Sequence, residues 1–332
     1  MDILEDKKYL LQMKFLRIFF ILIYLLSLGQ VNAANITGSN TINSDSSTQQ
    51  VYNADDTSLT ITDSSTLSRS GAAPVNINGK DNGTLTINSG STVTSTASNA
   101  VQGKDQSGLT ITNSGTINAD GSKAVNLLNA QSSTVTNKSG GVIKSNTNTI
   151  TVTENSGTAN NVTINNSGQI SAGASSSGAT SNNAIRSEDD TDNVTVVNNI
   201  GGHIHNNNTS STALNAATVF IAANSSATLT NSGTIENKGG VDNYAIGLAG
   251  DGVTVTLKDD GKVIGKISVA GGSTTAHTIK LQHGVGQAYF YDIDGSGAYT
   301  LQDLDGNPVV KGSAGSIGQG GNELVDEELG YK

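Results

Sequence analysis

The chain has 332 residues and carries 18 Lys and Arg against 28 Asp and Glu, a formal net charge of -10. That balance excludes binding to a nucleic-acid backbone, which rests on clustered basic side chains. With 39 Gly, no Trp, only 4% aromatic residues and no Cys, the composition also excludes a disulfide framework, a thiolate metal site and a compact core of large side chains.

The first element is an address. From Met13 the chain reads MKFLRIFFILIYLLSLGQVNAA: basic Lys14 and Arg17, an apolar run from Ile18 to Leu28, then small residues at Val31-Asn32-Ala33. That order of basic, apolar and small segments predicts a secretory signal over 1–34, cleaved after Ala33 or Ala34. The apolar run is shorter than the roughly 20 residues of a stable bilayer anchor. Residues 1–12 precede a complete signal and read as an unused upstream start or a longer leader.

One phrase then recurs. LTITDSSTL begins at 59, LTINSGSTV at 85, LTITNSGTI at 109, STVTNKSGGVI at 133, VTINNSGQI at 162, VTVVNNIGGHI at 194, ATLTNSGTI at 227 and VTLKDDGKV at 255, with a weaker ANITGSNTI at 34. Aligned by phrase, one apolar column is Ile36, Ile61, Ile87, Ile111, Val135, Ile164, Val196, Leu229 and Leu257. A second is Ile42, Leu67, Val93, Ile117, Ile143, Ile170, Ile204, Ile235 and Val263. A polar corner lies between them: Asp63, Ser89, Asn113, Asn137, Asn166, Asn198, Asn231 and Asp259, mostly followed by Gly. Alternation with period two predicts strands buried on one face, and Asn followed by Gly supplies the turn. The two extra residues in the copies at 133 and 194 are expected to form bulges. A third strand is read from Pro74-Val75, Ala100-Val101, Ala124-Val125, Thr149-Ile150, Ala184-Ile185, Ala213-Leu214 and Ala245-Ile246.

A three-strand unit of this size cannot bury its apolar face alone, so the units must stack. The expected fold is all-β: a right-handed parallel β-helix over 35–270, nine rungs at about 4.8 Å each, roughly 43 Å long. Longer units place their excess in AGASSSGATSNN and SEDDTDN, which read as loops; loops on a rigid scaffold are common recognition sites. Residues 271–332 are expected to form a C-terminal cap and linker. Within them AYFYDI and AYTLQDL alternate as strands around Asp-Gly-Ser-Gly, which predicts a β-hairpin closing the open end of the rod.

The L-T-x-N-S-G-T-I phrase with its following A-[VI]-x-[LG] strand, behind a signal peptide, resembles the passenger region of bacterial autotransporters. The segments GKVIGKISV, QAYFYDIDGSGAYTLQDLDGNPVVKGSAGSIG and ELVDEELGYK look like the end of such a passenger and the start of its link to a membrane barrel. The resemblance covers 34–332 and implies a rod displayed by a Gram-negative cell. It also implies an outer-membrane β-barrel translocator, whose strands of alternating apolar residues are not in this sequence. The expectation is therefore a truncated passenger, at the cell surface or secreted when a barrel is supplied and periplasmic otherwise.

Catalytic chemistry finds little support. The dense acidic run Glu188, Asp189, Asp190 and Asp192 reads as a solvated loop, and His203 and His205 flank Ile204 so that both point outward. DIDGSGAYTLQD reproduces the EF-hand spacing, with Asp292, Asp294, Ser296 and Asp303 as weak Ca²⁺ candidates at its positions 1, 3, 5 and 12. Against it, Tyr299 replaces the usual aliphatic residue, Asp303 replaces Glu, and neither flank is helical. The leading expectation is a non-enzymatic, adhesin-like rod without cofactors that meets an extracellular glycan, matrix or cell-surface partner; the alternative is a polysaccharide lyase or hydrolase. A smaller alternative is ice binding through the outward column Thr60, Thr86, Thr110, Thr134, Thr163, Thr195, Thr228 and Thr256, whose neighbouring column breaks at Asn88, Asn165, Val197 and Lys258.

Overall fold

The computed structural model describes residues 13–14, 33–155, 159–173, 182–188, 191–207, 214–222, 226–270, 275–282, 289–309 and 322–325. Apart from Met13, Lys14, Ala33 and Ala34, the expected signal lies outside them. So do 174–181 of the expected loop and most of the linker beyond Val309.

The chain is a parallel β-helix. Strands of mostly four residues form three long sheets, each strand pairing in parallel with its counterpart one rung away, except that Asn322–Val325 joins the third sheet antiparallel to Tyr289–Asp294. The first sheet has eleven strands, from Ser39–Ile42 through Thr110–Asn113 to Tyr299–Asp303. The second has eight, from Thr66–Arg69 to Lys262–Ile264, and the third has twelve, opening at Ala33–Ile36. The second apolar column stacks as expected from Leu67 to Val263. Ile42 does not belong to it; it pairs with Ile61 in the first sheet.

The first apolar column is corrected. Ile111 pairs with Leu85, not Ile87, and Leu229 pairs with Val255, not Leu257. The true inner column runs Leu59, Leu85, Ile111, Val135, Ile164, Val196, Leu229, Val255, Ile279 and Leu301. Ile61, Ile87, Leu257 and Leu281 stack instead in the column that contains the five asparagines 113, 137, 166, 198 and 231. Asp63, Ser89 and Asp259 lie beyond the strands in turns, and Ile36 sits in the third sheet against Tyr52.

The reason is the corner between the first and second sheets, which comes in two lengths. In the short form only two residues intervene, and the glycine amide bonds the Asn side-chain oxygen: Gly115 to Asn113 at 3.2 Å, Gly168 to Asn166 at 3.2 Å and Gly233 to Asn231 at 3.3 Å. The long form spans four residues and closes by its own backbone. Ser65 N–H bonds Thr62 O at 3.0 Å, Ser91 bonds Asn88 at 3.0 Å, Gly141 bonds Lys138 at 2.8 Å, Gly202 bonds Asn199 at 2.8 Å and Gly261 bonds Lys258 at 2.9 Å. The turns at Asp63-Ser64 and Asp259-Asp260 have two positive φ angles, as in type I′; those at Gly90, Gly140 and Gly201 have one, as in type II. The extra residues at 133 and 194 thus enter a turn, not a strand bulge.

The third sheet begins its strands where the sequence indicates, with one exception. Ala213-Leu214 is replaced by Val219–Ile221, which pairs Ile185 with Val219 and Val219 with Ile246; Leu214–Ala216 is a 3-10 turn. At the corner leading into the first sheet, Asp56, Asn82, Gly108, Ser132, Asn161, Asn193, Ser226 and Gly252 all have φ between 48° and 73°. Each stands two residues before a strand, in the left-handed region that Gly, Asn and Asp tolerate best.

The solenoid also runs further than 270. His277–Leu281 and Tyr299–Asp303 extend the first sheet, and Ile293 pairs in parallel with Ile267 in the third. Tyr289–Asp294 and Tyr299–Asp303 are therefore consecutive faces of one rung, not the two arms of a hairpin, and Asp-Gly-Ser-Gly is their corner. A hairpin does close this end, but its turn is at Leu304–Gly306. Val309 N–H bonds Leu301 O at 3.0 Å and Asp303 N–H bonds Asn307 O at 2.8 Å.

Candidate functional site: the outward face of the first sheet

The correct register makes the outward face of the first sheet far more regular than the phrase alignment suggests. One outward column is Ser39, Ser58, Thr84, Thr110, Thr134, Thr163, Thr195, Thr228, Thr254, Thr278 and Thr300: a hydroxyl on all eleven rungs. Beside it runs Thr41, Thr60, Thr86, Thr112, Thr136, Asn165, Val197, Thr230, Thr256, Lys280 and Gln302. The expected column joined members of both. Two of the breaks expected in its neighbouring column, Asn88 and Lys258, are corner residues outside the face. Thr is favoured here by its β-branched fit to a pleated surface.

These hydroxyls are largely uncommitted to the protein. Thr228 Oγ1 donates to Thr195 Oγ1 at 3.3 Å and Thr300 Oγ1 reaches His277 O at 3.5 Å; the other Ser and Thr side chains of the two columns make no hydrogen bond within the described structure. No charged side chain enters either column before Lys280.

The other two faces differ. On the second, His203 Nε2 lies 2.9 Å from Glu236 and Gln169 Nε2 lies 2.7 Å from His205 Nε2. Both histidines flank inward Ile204 as expected, but only His203 is partly exposed; His205 is 3% exposed. Burial, with the positive charge of Lys238, lowers its pKa to about 4. On the third face Arg186 forms a forked pair with Glu188, at 2.6 and 3.1 Å, and lies 4.8 Å from the Phe220 ring centre. Glu188 of the acidic run is thus paired, Asp192 lies in a short strand beside Asn160, and Asp189 and Asp190 fall outside the described residues.

The EF-hand spacing does not produce an EF-hand loop. Lys266 Nζ approaches Asp292 at 3.8 Å and Asp294 at 4.0 Å, and Tyr244 OH donates to Asp294 at 3.1 Å. Ser296 is exposed in the corner. Asp303 belongs to the first sheet, where both carboxylate oxygens accept from Asn307 at 2.7 Å. Among the described residues no three His, Asp or Glu side chains are arranged to hold a metal. A groove of about 370 Å³ lies at this end, lined by Gly297, Ala298, Tyr299, Leu301 and Val309.

Among the described residues no helix is long and apolar enough to cross a membrane. Compared with protein-family models, curated proteins and solved structures, the chain gives no significant match.

Proposed function

We propose that the chain is an exported, autotransporter passenger-like rod that works as a non-catalytic, adhesin-like binding element, presenting its first sheet to an extracellular glycan, matrix or cell-surface partner. One observation carries this reading: an outward face eleven rungs long with hydroxyls that have few partners in the protein and no charge before Lys280. The leader-like N-terminus supports export, and the rigid stack supports display of the face as one surface.

The test uses the full chain expressed with its own N-terminus in a Gram-negative host. Export with processing near Ala33-Ala34 is expected, followed by retention of the purified rod on immobilised matrix, glycan or cells. A Thr134→Lys/Thr163→Lys variant that remains folded should lose retention. Equal retention of that variant, or release of unsaturated products from uronate polymers, would overturn the reading in favour of another surface or of lyase chemistry.

A further inference from the structure

We propose that the Thr-bearing outward face of the first sheet binds ice. This goes beyond the adhesin reading but rests on the same face. Three observations point to an ordered lattice as the occupant.

First, the two outward columns form a net. Adjacent rungs repeat at about 4.8 Å and alternate residues along a strand at roughly 6.6 Å. Such a net offers hydroxyls and methyls at regular intervals in two directions, the arrangement an ordered water lattice would have to meet. The unbroken part spans the rungs from Thr41 to Thr136, where the second column is Thr on every rung. Second, the hydroxyls there have no internal partner among the described residues, so they are available to hold water in register. Third, before Lys280 the two columns carry neither the charges that would impose their own hydration nor an outward aromatic ring on which a sugar would stack. What the face presents there is a regular array of hydroxyls and methyls, which suits an ordered lattice.

Beneath the face, Asn113 and Asn137 begin a side-chain hydrogen-bonded ladder. Side-chain ladders are one of the devices that keep many-stranded sheets flat.

The experiment is ice-affinity partitioning of the full, purified chain during slow freezing, with thermal hysteresis as the second readout. Wild type should concentrate in the ice several-fold over a non-binding protein of similar size. Thr110→Tyr should abolish this, because the ring lifts the lattice off the net, whereas Thr116→Tyr on the second sheet should leave it unchanged. Circular dichroism of each variant confirms folding. Exclusion of the wild type from ice overturns the proposal, as does equal partitioning of Thr110→Tyr and wild type. Adhesion to matrix, glycan or cells is measured on the same samples. Loss of adhesion with retained ice uptake would sink the adhesin reading alone; adhesion without ice uptake would sink this one alone.

Discussion

The buried asparagines show most clearly how single residues set this structure. Asn113, Asn137, Asn166, Asn198 and Asn231 are fully buried, and the Nδ2 of each of the first four donates to the next Oδ1 at 2.8 to 2.9 Å. A buried amide is tolerated only when its donors and acceptors are met, and here the ladder meets them. Asn166 sits mid-ladder, accepting from Asn137 and donating to Asn198, whereas Asn231 ends it, donating to Lys262 O at 3.0 Å. Leu fits this column, as Leu257 shows. Asn231→Leu should therefore cost about 1–2 kcal/mol and Asn166→Leu about twice that in chemical denaturation, since the second orphans groups on both neighbours. Equal costs would mean that the chain of amides contributes nothing beyond packing. Gly168 is fixed by space: a Cβ there would lie 2.3 Å from Gly141 O. His205 gives a pH dependence. Its folded pKa lies below the unfolded value of about 6.5, so the folded state binds fewer protons; stability is full above that value and falls as pH drops toward about 4. The loss is at most about 3 kcal/mol. Relative to His205→Gln, the melting temperature of wild type should fall more steeply across this window. Parallel curves would show that His205 is not held neutral by burial.

At the scale of strands and corners, the chain's own spelling both reveals and conceals the fold. Period-two alternation separates inward from outward residues, and Leu67, Val93 and Ile117 are read correctly because each follows its corner directly. A slip of one residue would have inverted every side chain and been obvious; a slip of two leaves inside and outside unchanged. The phrases at 59, 85 and 255 hide such a slip, because Asp-Ser-Ser, Ser-Gly-Ser and Asp-Asp-Gly resemble Asn-Ser-Gly although their corners are two residues longer. Only the pairing of Ile111 with Leu85 exposes it. The same slip broke the Thr columns apart, so the regularity of the candidate face was hidden until the rungs were stacked. The terminal hairpin is hidden for a related reason: two alternating segments around Gly295 and Gly297 fit a hairpin locally, while the choice of parallel partners is made by the preceding rungs. Inside and outside remain sharply distinguishable. Ile111→Asp should destabilise the rod by several kcal/mol, because it buries an unpaired carboxylate among aliphatic neighbours. Thr110→Asp, one residue away and exposed, should shift thermal unfolding little. Similar shifts for the two would contradict the alternation.

For the molecule as a whole, every functional statement depends on one property: successive units stack in a single parallel register, so that small outward side chains add up to a long continuous face. Eleven rungs in the first sheet give ten steps, about 48 Å. The chain has no cysteine, so spin labels can be placed at will on introduced thiols. With one label at Thr84→Cys and the second at Thr195→Cys, Thr254→Cys or Thr300→Cys, the backbone separations should be about 19, 29 and 38 Å, four, six and eight steps of about 4.8 Å. Pulsed dipolar spectroscopy on these three double variants should return distances that rise in proportion to the number of rungs. Distances that level off, or that fail to rise in this order, would contradict the stacked register and with it the continuous face.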